Sequence, residues 1–141
     1  MLRVEGITVA ISAVTILRGL SLTVETGATV GLVGRNGAGK TTTIRSIMGL
    51  IPLNSGQIDL DGNKLDGMST YMRARLGIGY LPEDRRLVGT LSVRDNLLIP
   101  AQASGVSNYD ERLHRIFDLM PELREWSARR AVTLPRNVQQ R

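Results

Sequence analysis

Apolar and polar positions alternate with a period of two in two early stretches, Ile7, Val9 and Ile11, then Leu20, Leu22 and Val24. That period puts one side of a strand on a core, so the chain is expected to open with antiparallel β structure. Thr26-Gly27 interrupts the pattern, and residues 28–33 (Ala-Thr-Val-Gly-Leu-Val) follow as a short apolar run that ends at Gly34. A run of this kind predicts a strand buried on both faces. Farther on, Ile44, Ile47 and Met48 recur at helical spacing and Gly49 is placed to cap the helix end. The glycine-rich segment between them is therefore expected to join a buried strand to a helix.

Pro52 and Asn54-Ser55-Gly56 break the chain again, residues 57–60 are a short strand candidate, and Asp61-Gly62 is a hairpin-type turn. Residues 71–76 are expected to form a short helix, and residues 77–81 another buried strand that Pro82 ends. Ser92 with Asp95 resembles a capping box and predicts a helix to about Ile99. Asn108 with Glu111 predicts a second start, for a helix whose apolar stripe is Leu113, Ile116, Phe117 and Met120. That stripe reads as core, and residues 104–107 read as a loop. There is no internal repeat and no low-complexity segment.

Composition narrows the class. With 141 residues and 42% hydrophobic content, the chain suits one ordinary globular domain. It has no cysteine, which removes disulfides and thiolate metal sites. The start lacks the pattern of a signal peptide and no apolar run approaches a membrane span, so a membrane role is expected to come through partners and not by direct insertion. The net charge is +5, and Arg129, Arg130, Arg136 and Arg141 fall in a terminal stretch without an acid. The remaining body is nearly neutral and its few aromatic residues are not interleaved with basic ones, which argues against nucleic acid as a partner.

The candidate chemistry is concentrated in Gly34-Arg35-Asn36-Gly37-Ala38-Gly39-Lys40-Thr41-Thr42, which fulfils G-x-x-x-x-G-K-[ST]. Glycines let successive backbone N–H groups converge on a phosphate oxygen where a β-carbon would obstruct them. The helix that follows adds the positive end of its dipole. Lys40 can reach the β- and γ-phosphates, and the Thr41 hydroxyl can ligate a bridging Mg²⁺. Arg35 and Asn36 fit the loop without being dictated by the chemistry. The motif predicts binding of ATP with Mg²⁺, and by itself leaves transport ATPases, nucleotide kinases and GTPases open.

The words around it are more specific. Gly34–Thr43, then Ile47-Met48-Gly49-Leu50 and Ser55-Gly56-Gln57-Ile58, resemble the ATP-binding subunits of ABC transporters. Gly77-Ile78-Gly79-Tyr80-Leu81-Pro82-Glu83-Asp84-Arg85-Arg86, followed by Leu91-Ser92-Val93-Arg94-Asp95-Asn96-Leu97, resembles the branched-chain amino-acid importer branch, the LivF-like subunits; sugar-importer subunits carry similar words. The resemblance implies an α/β fold of the P-loop NTPase (ABC ATPase) kind, with an N-terminal antiparallel β subdomain and the start of a helical subdomain. Residues 1–82 would hold the P-loop core and β subdomain, and residues 83–141 the Q-loop region and helical subdomain of an incomplete domain.

It further implies Glu83 at the Q-loop position, where the family usually has Gln and where a carboxylate can also approach Mg²⁺. Ile11 falls where the family stacks an aromatic ring on adenine; it offers apolar contact and no π-stacking. Implied partners are membrane permease subunits and a second ATP-binding subunit, at the cytoplasmic face of the inner membrane. A helix resembling residues 116–126 leads in that branch to Leu-Ser-Gly-Gly-x-Gln-Gln, whereas this chain reads Leu134-Pro135-Arg136-Asn137-Val138-Gln139-Gln140. Pro135 removes a backbone donor and the lost glycines remove a close phosphate approach. A compensated frame shift over a few codons would explain intact flanks around an altered centre, and a relative's DNA without a paired insertion and deletion would refute it.

The sequence stops before the Walker B strand, catalytic glutamate, D-loop and switch histidine that the resemblance implies, and His114 precedes the signature position. Two functions of different class follow as expectations: an energising transport ATPase subunit, or a non-catalytic nucleotide-binding remnant. Either way the chain alone is expected to bind ATP without useful hydrolysis. Without the strand that flanks the P-loop strand, an apolar edge is expected to stay unpaired.

Overall fold

In a computed structural model of the chain, residues 1–83 and 87–134 are described. They form two compact units, Met1–Arg73 and Ala74–Arg141.

The first unit is built on a sheet. Strands β1 (Leu2–Ile11) and β2 (Val14–Val24) form a hairpin closed by Ser12-Ala13, both at positive φ, the left-handed geometry that a two-residue hairpin turn requires. Strand β3 (Ser55–Leu60) pairs antiparallel with the other edge of β1, and the two-residue β4 (Asn63–Lys64) follows across the Asp61-Gly62 turn. The order is β2-β1-β3-β4, with β1 central. The sequence predicts antiparallel structure here but not that β3 joins the opening hairpin, because register between distant strands leaves no local trace.

The period of two is broken in β1 between Val4 and Ile7, and in β2 between Leu17 and Leu20. Val4 and Ile7 are both buried although three residues apart, because the pairing with β2 shifts between them, next to Gly6 at φ +57°. Val9, Leu17 and Ile58 complete the buried apolar positions of the strands, while Ile11 at the hairpin tip is exposed. Helix α1 (Lys40–Ile47) follows the glycine-rich loop, and α2 (Thr70–Arg75) matches the expected short helix to within a residue.

Two expected strands are not there. Residues 28–33 belong to no paired strand, and Val30, Leu32 and Val33 are exposed, Val33 to 93%. Residues 77–81 likewise form no strand, and Leu81 is 92% exposed. The physical reason is common to both. A parallel strand exists through its neighbours' hydrogen bonds, and among the described residues no strand pairs with either segment.

The second unit is helical. Helix α3 (Val93–Ser104) starts as the capping box predicts: the Ser92 hydroxyl accepts from the Asp95 N–H at 3.0 Å. It runs past Ile99 and through Pro100, a correction to the expected end. Proline at this position removes only one helical hydrogen bond, and Gly105 at φ +73° supplies the cap that ends the helix. Helix α4 (Tyr109–Leu119) begins where expected, but the Asn108 side chain caps no backbone N–H; its amide donates to Glu111 Oε2 at 3.4 Å and its oxygen accepts from Arg112 Nε at 3.2 Å. The helix anticipated over residues 116–126 is interrupted at Met120, and α5 (Pro121–Glu125) starts afresh with proline in its first turn.

Val93, Leu98, Leu113, Phe117, Leu123 and Leu134 form the core of this unit, with Leu97, Ile116, Met120 and Trp126 against it. The predicted stripe is thus core. Leu134 is the last described residue, so Pro135-Arg136-Asn137 and the rest of the signature position lie outside the described residues, as do Asp84, Arg85 and Arg86.

Candidate functional site

The loop from Gly34 to Gly39 turns because of where its glycines fall. The Ala38 N–H donates to Arg35 O at 3.1 Å, closing a turn with Asn36 and Gly37 at its centre. Gly37 there has φ +83°, a conformation that an L side chain resists. Gly39, at φ +90°, is the N-cap of α1 and offers no side-chain cap. It also meets β2: a β-carbon at this position would lie 2.6 Å from Leu17 Cδ2. The loop is therefore packed onto the sheet by the absence of a side chain, while residues 34–38 remain exposed.

Lys40 curls back across this loop. Its ammonium donates to Gly34 O at 2.7 Å and to Arg35 O at 2.9 Å. It is thereby held at the mouth of the loop with a third N–H not used by these two carbonyls. The first turn of α1 contains no acidic residue, so nothing within the helix offsets the positive end of its dipole. Thr43 is buried and its hydroxyl bonds back to Gly39 O at 3.0 Å, tying the first turn to the N-cap. Thr41 and Thr42 are half-buried. Exposed loop amides, a helix N-terminus, an ammonium and hydroxyl groups make an anion site suited to phosphate oxygens, and the Thr41 oxygen suits a hard cation such as Mg²⁺. The residues present fit a nucleoside triphosphate with its metal.

All predicted phosphate-loop residues, Gly34, Arg35, Asn36, Gly37, Ala38, Gly39, Lys40, Thr41 and Thr42, lie in the first unit together with Ile11, which is 43% exposed at the end of β1. Glu83 belongs to the second unit, exposed in the turn after Pro82. His114 is exposed on α4, its Nδ1 2.8 Å from Asp110 O, within the helix's own turn. Among the described residues no cluster of His, Cys, Asp and Glu could hold a metal ion on its own, and no helix is long and apolar enough to cross a membrane.

The sequence reading missed Arg73. It is 6% exposed, and its guanidinium donates to four backbone carbonyls, two of them in the last turn of α1. Burial pushes its pKa down, and the charge of Asp66 pushes it back up. An isolated arginine in a short helix carries no sequence signal of this role.

Comparison with known proteins fits this geometry. The family profile described as ABC transporter matches residues 17–137. The lipopolysaccharide export system ATP-binding protein LptB of Escherichia coli (strain K12) is 40% identical over 107 residues, 76% of this chain and 44% of LptB. The probable branched-chain amino acid transport ATP-binding protein LivF of Archaeoglobus fulgidus is 33% identical over 134 residues, 95% of this chain and 57% of that protein. A solved structure of an ATP-binding subunit of an ABC transporter superposes with a TM-score of 0.88 at 28% identity, covering 99% of this chain and 58% of its own. The chain thus spans about half the length of the curated relatives it matches.

Proposed function

The chain belongs to the ABC transporter family of ATP-binding proteins, and from that premise we propose that Gly34–Thr42 holds the triphosphate of ATP. The observation that carries this reading is the Lys40 ammonium, fixed by Gly34 O and Arg35 O at the mouth of a loop whose amides open onto a helix N-terminus. In the bound state the loop amides not used in the Arg35–Ala38 turn would face phosphate oxygens, Lys40 would turn its remaining donor toward them, and the Thr41 hydroxyl would hold Mg²⁺. Mg²⁺ supplies neutralisation of phosphate charge. Ile11 covers an adenine face by apolar contact alone, so discrimination among bases is weak.

The larger protein role proposed is that of a peripheral subunit at the cytoplasmic face of the inner membrane, paired with a second ATP-binding subunit beneath permease subunits. Branched-chain amino acids are the solute favoured by the likeness to LivF, which extends over 95% of the chain. A second reading, a subunit serving export as LptB does, is favoured by the higher identity over a shorter span. Copurification with the permease partner of each type separates them. With Pro135-Arg136-Asn137 at the signature position, these 141 residues bind nucleotide without turning it over.

Titration calorimetry with Mg-ATP tests the core of this. Lys40→Ala removes hydrogen bonds from a charged donor, a loss of about 1.5–3 kcal/mol, or roughly 10- to 100-fold in affinity. Equal heats from wild type and variant would refute the phosphate assignment. A steady-state ATPase rate that disappears in the same variant would refute the absence of turnover.

A further inference from the structure

Arg73 is the one charged side chain that is buried among the described residues, and no carboxylate is its hydrogen-bond partner there. Its bonds all go to backbone oxygens. Nη1 donates to Ser46 O at 3.1 Å and to Ile47 O at 2.6 Å, both at the C-terminal end of α1. Nη2 donates to Leu65 O at 2.7 Å and Nε to Met68 O at 3.1 Å, in the segment between β4 and α2. Gly49 makes room for the group: a β-carbon there would lie 2.8 Å from the guanidinium carbon.

Of the two α1 carbonyls that Arg73 reaches, Ile47 O takes its bond from the guanidinium, whereas Ser46 O has a backbone donor as well. Gly49 N–H donates to Ser46 O at 3.0 Å and Leu50 N–H to Arg45 O at 2.9 Å, a helix end closed by its own backbone with Gly49 at φ +72°. Close packing does not hold that end on this side, where a cavity of about 520 Å³ is lined by Ser46, Gly49, Asp66, Met68 and Arg73. The guanidinium adds a cation at the negative end of the helix dipole and a four-point tie to a neighbouring segment. At its other end the same eight-residue helix is seated by Gly39 against Leu17. A helix this short has no slack: a shift at its last turn is passed to its first, where Lys40 stands.

We propose that Arg73 is a positioning residue for the phosphate loop: by anchoring the C-terminal turn of α1, it sets the place of Gly39 and Lys40 at the helix's opposite end. This rests on the reading of Gly34–Thr42 as a phosphate site. It differs from a purely structural role, in which losing Arg73 would lower stability and leave the loop unchanged.

The test uses ¹⁵N-labelled full chain, with Arg73→Lys, which keeps the charge but loses the fork, and Arg73→Met, which loses both. In the free protein, below the melting temperature of each variant, the amide resonances of Gly37 and Gly39 move in both variants, more for Met. Mg-ATP affinity per folded molecule falls about 2- to 30-fold, with Lys between wild type and Met. If stability falls while those resonances and the affinity stay at wild-type values, Arg73 is structural only and the proposal is overturned.

A measurement on the wild type keeps the proposal falsifiable if the variants do not fold. The buried Nε–H of Arg73 gives its own resonance, and coupling between two sites is reciprocal. That resonance moves as the phosphate site saturates with Mg-ATP, and an unmoved resonance at saturation overturns the proposal. If wild type binds no Mg-ATP, the nucleotide reading fails separately, and the free-protein shifts of Gly37 and Gly39 still decide whether Arg73 positions the loop.

Discussion

Strand β1 and residues 28–33 are made of much the same material, apolar and β-branched residues near glycine, and they end in opposite states. β1 lies between β2 and β3, with Val4, Ile7 and Val9 buried. Residues 28–33 have no partner strand among the described residues, and Val30, Leu32 and Val33 face solvent. The difference is in pairing and not in intrinsic preference: an extended backbone becomes a strand when each N–H and C=O finds a neighbour, and side chains are buried only as a consequence. The phosphate loop follows directly from the segment that lacks this support. Its geometry therefore depends on what holds it from the other direction, the contact of Gly39 with Leu17 and the tie of α1 to Arg73.

The sharpest way to break the comparison is inside β1. Ile7 is fully buried, so Ile7→Ala removes packed atoms and leaves a cavity in the paired sheet. A loss of about 2–5 kcal/mol in unfolding free energy is expected, read by urea titration with far-ultraviolet circular dichroism. A loss below about 1 kcal/mol would mean that the sheet is no better consolidated than the unpaired segment, and the contrast would fail.

Legibility in the sequence followed the same line. Features decided within a few residues were readable: the hairpin turn at Asp61-Gly62, the glycine cap after α1, the capping box at Ser92 and the glycine turn that leads into α1. The core stripe of α4 was readable because helical spacing alone predicts which residues share a face. Features decided by distant partners were not. Residues 28–33 and 77–81 carry a strand's composition without its neighbours, and β3 joins β1 through a register that no local pattern encodes. Arg73 is the same lesson at the site, since its four carbonyl partners are spread from Ser46 to Met68. The continuation of α3 through Pro100 went unread because a proline's cost is visible locally, whereas the cap at Gly105 that ends the helix lies farther on.

A smaller effect is expected in the helical unit, where structure is again local. The Ser92 hydroxyl accepts from the Asp95 N–H at 3.0 Å and donates to Asp95 Oδ2 at 2.6 Å. Ser92→Ala leaves that helix start uncapped at about 1 kcal/mol. Trp126 is the sole tryptophan and packs against this unit's core, so its fluorescence reports the transition of this unit during denaturation. An unchanged midpoint would show that the cap is not what starts α3.

The smallest expected effect is the most informative about residues 28–33. Val33 is 93% exposed, so Val33→Ala removes two methyl-sized groups that touch solvent and leaves no cavity. Burial and pairing predict a change within about 0.5 kcal/mol, against several times that for the Ile7 substitution. Hydrogen exchange sharpens the result: the hydrogen-bonded amides of β1, a strand with partners on both sides, exchange slowly, while those of residues 29–33 exchange at nearly the rate of an unstructured chain. A destabilisation by Val33→Ala above about 1 kcal/mol, or slow exchange over residues 29–33, would require this segment to be packed and paired after all. The loop that follows would then be held from its strand side as well, and the weight placed on Gly39 and Arg73 would have to be shared with it.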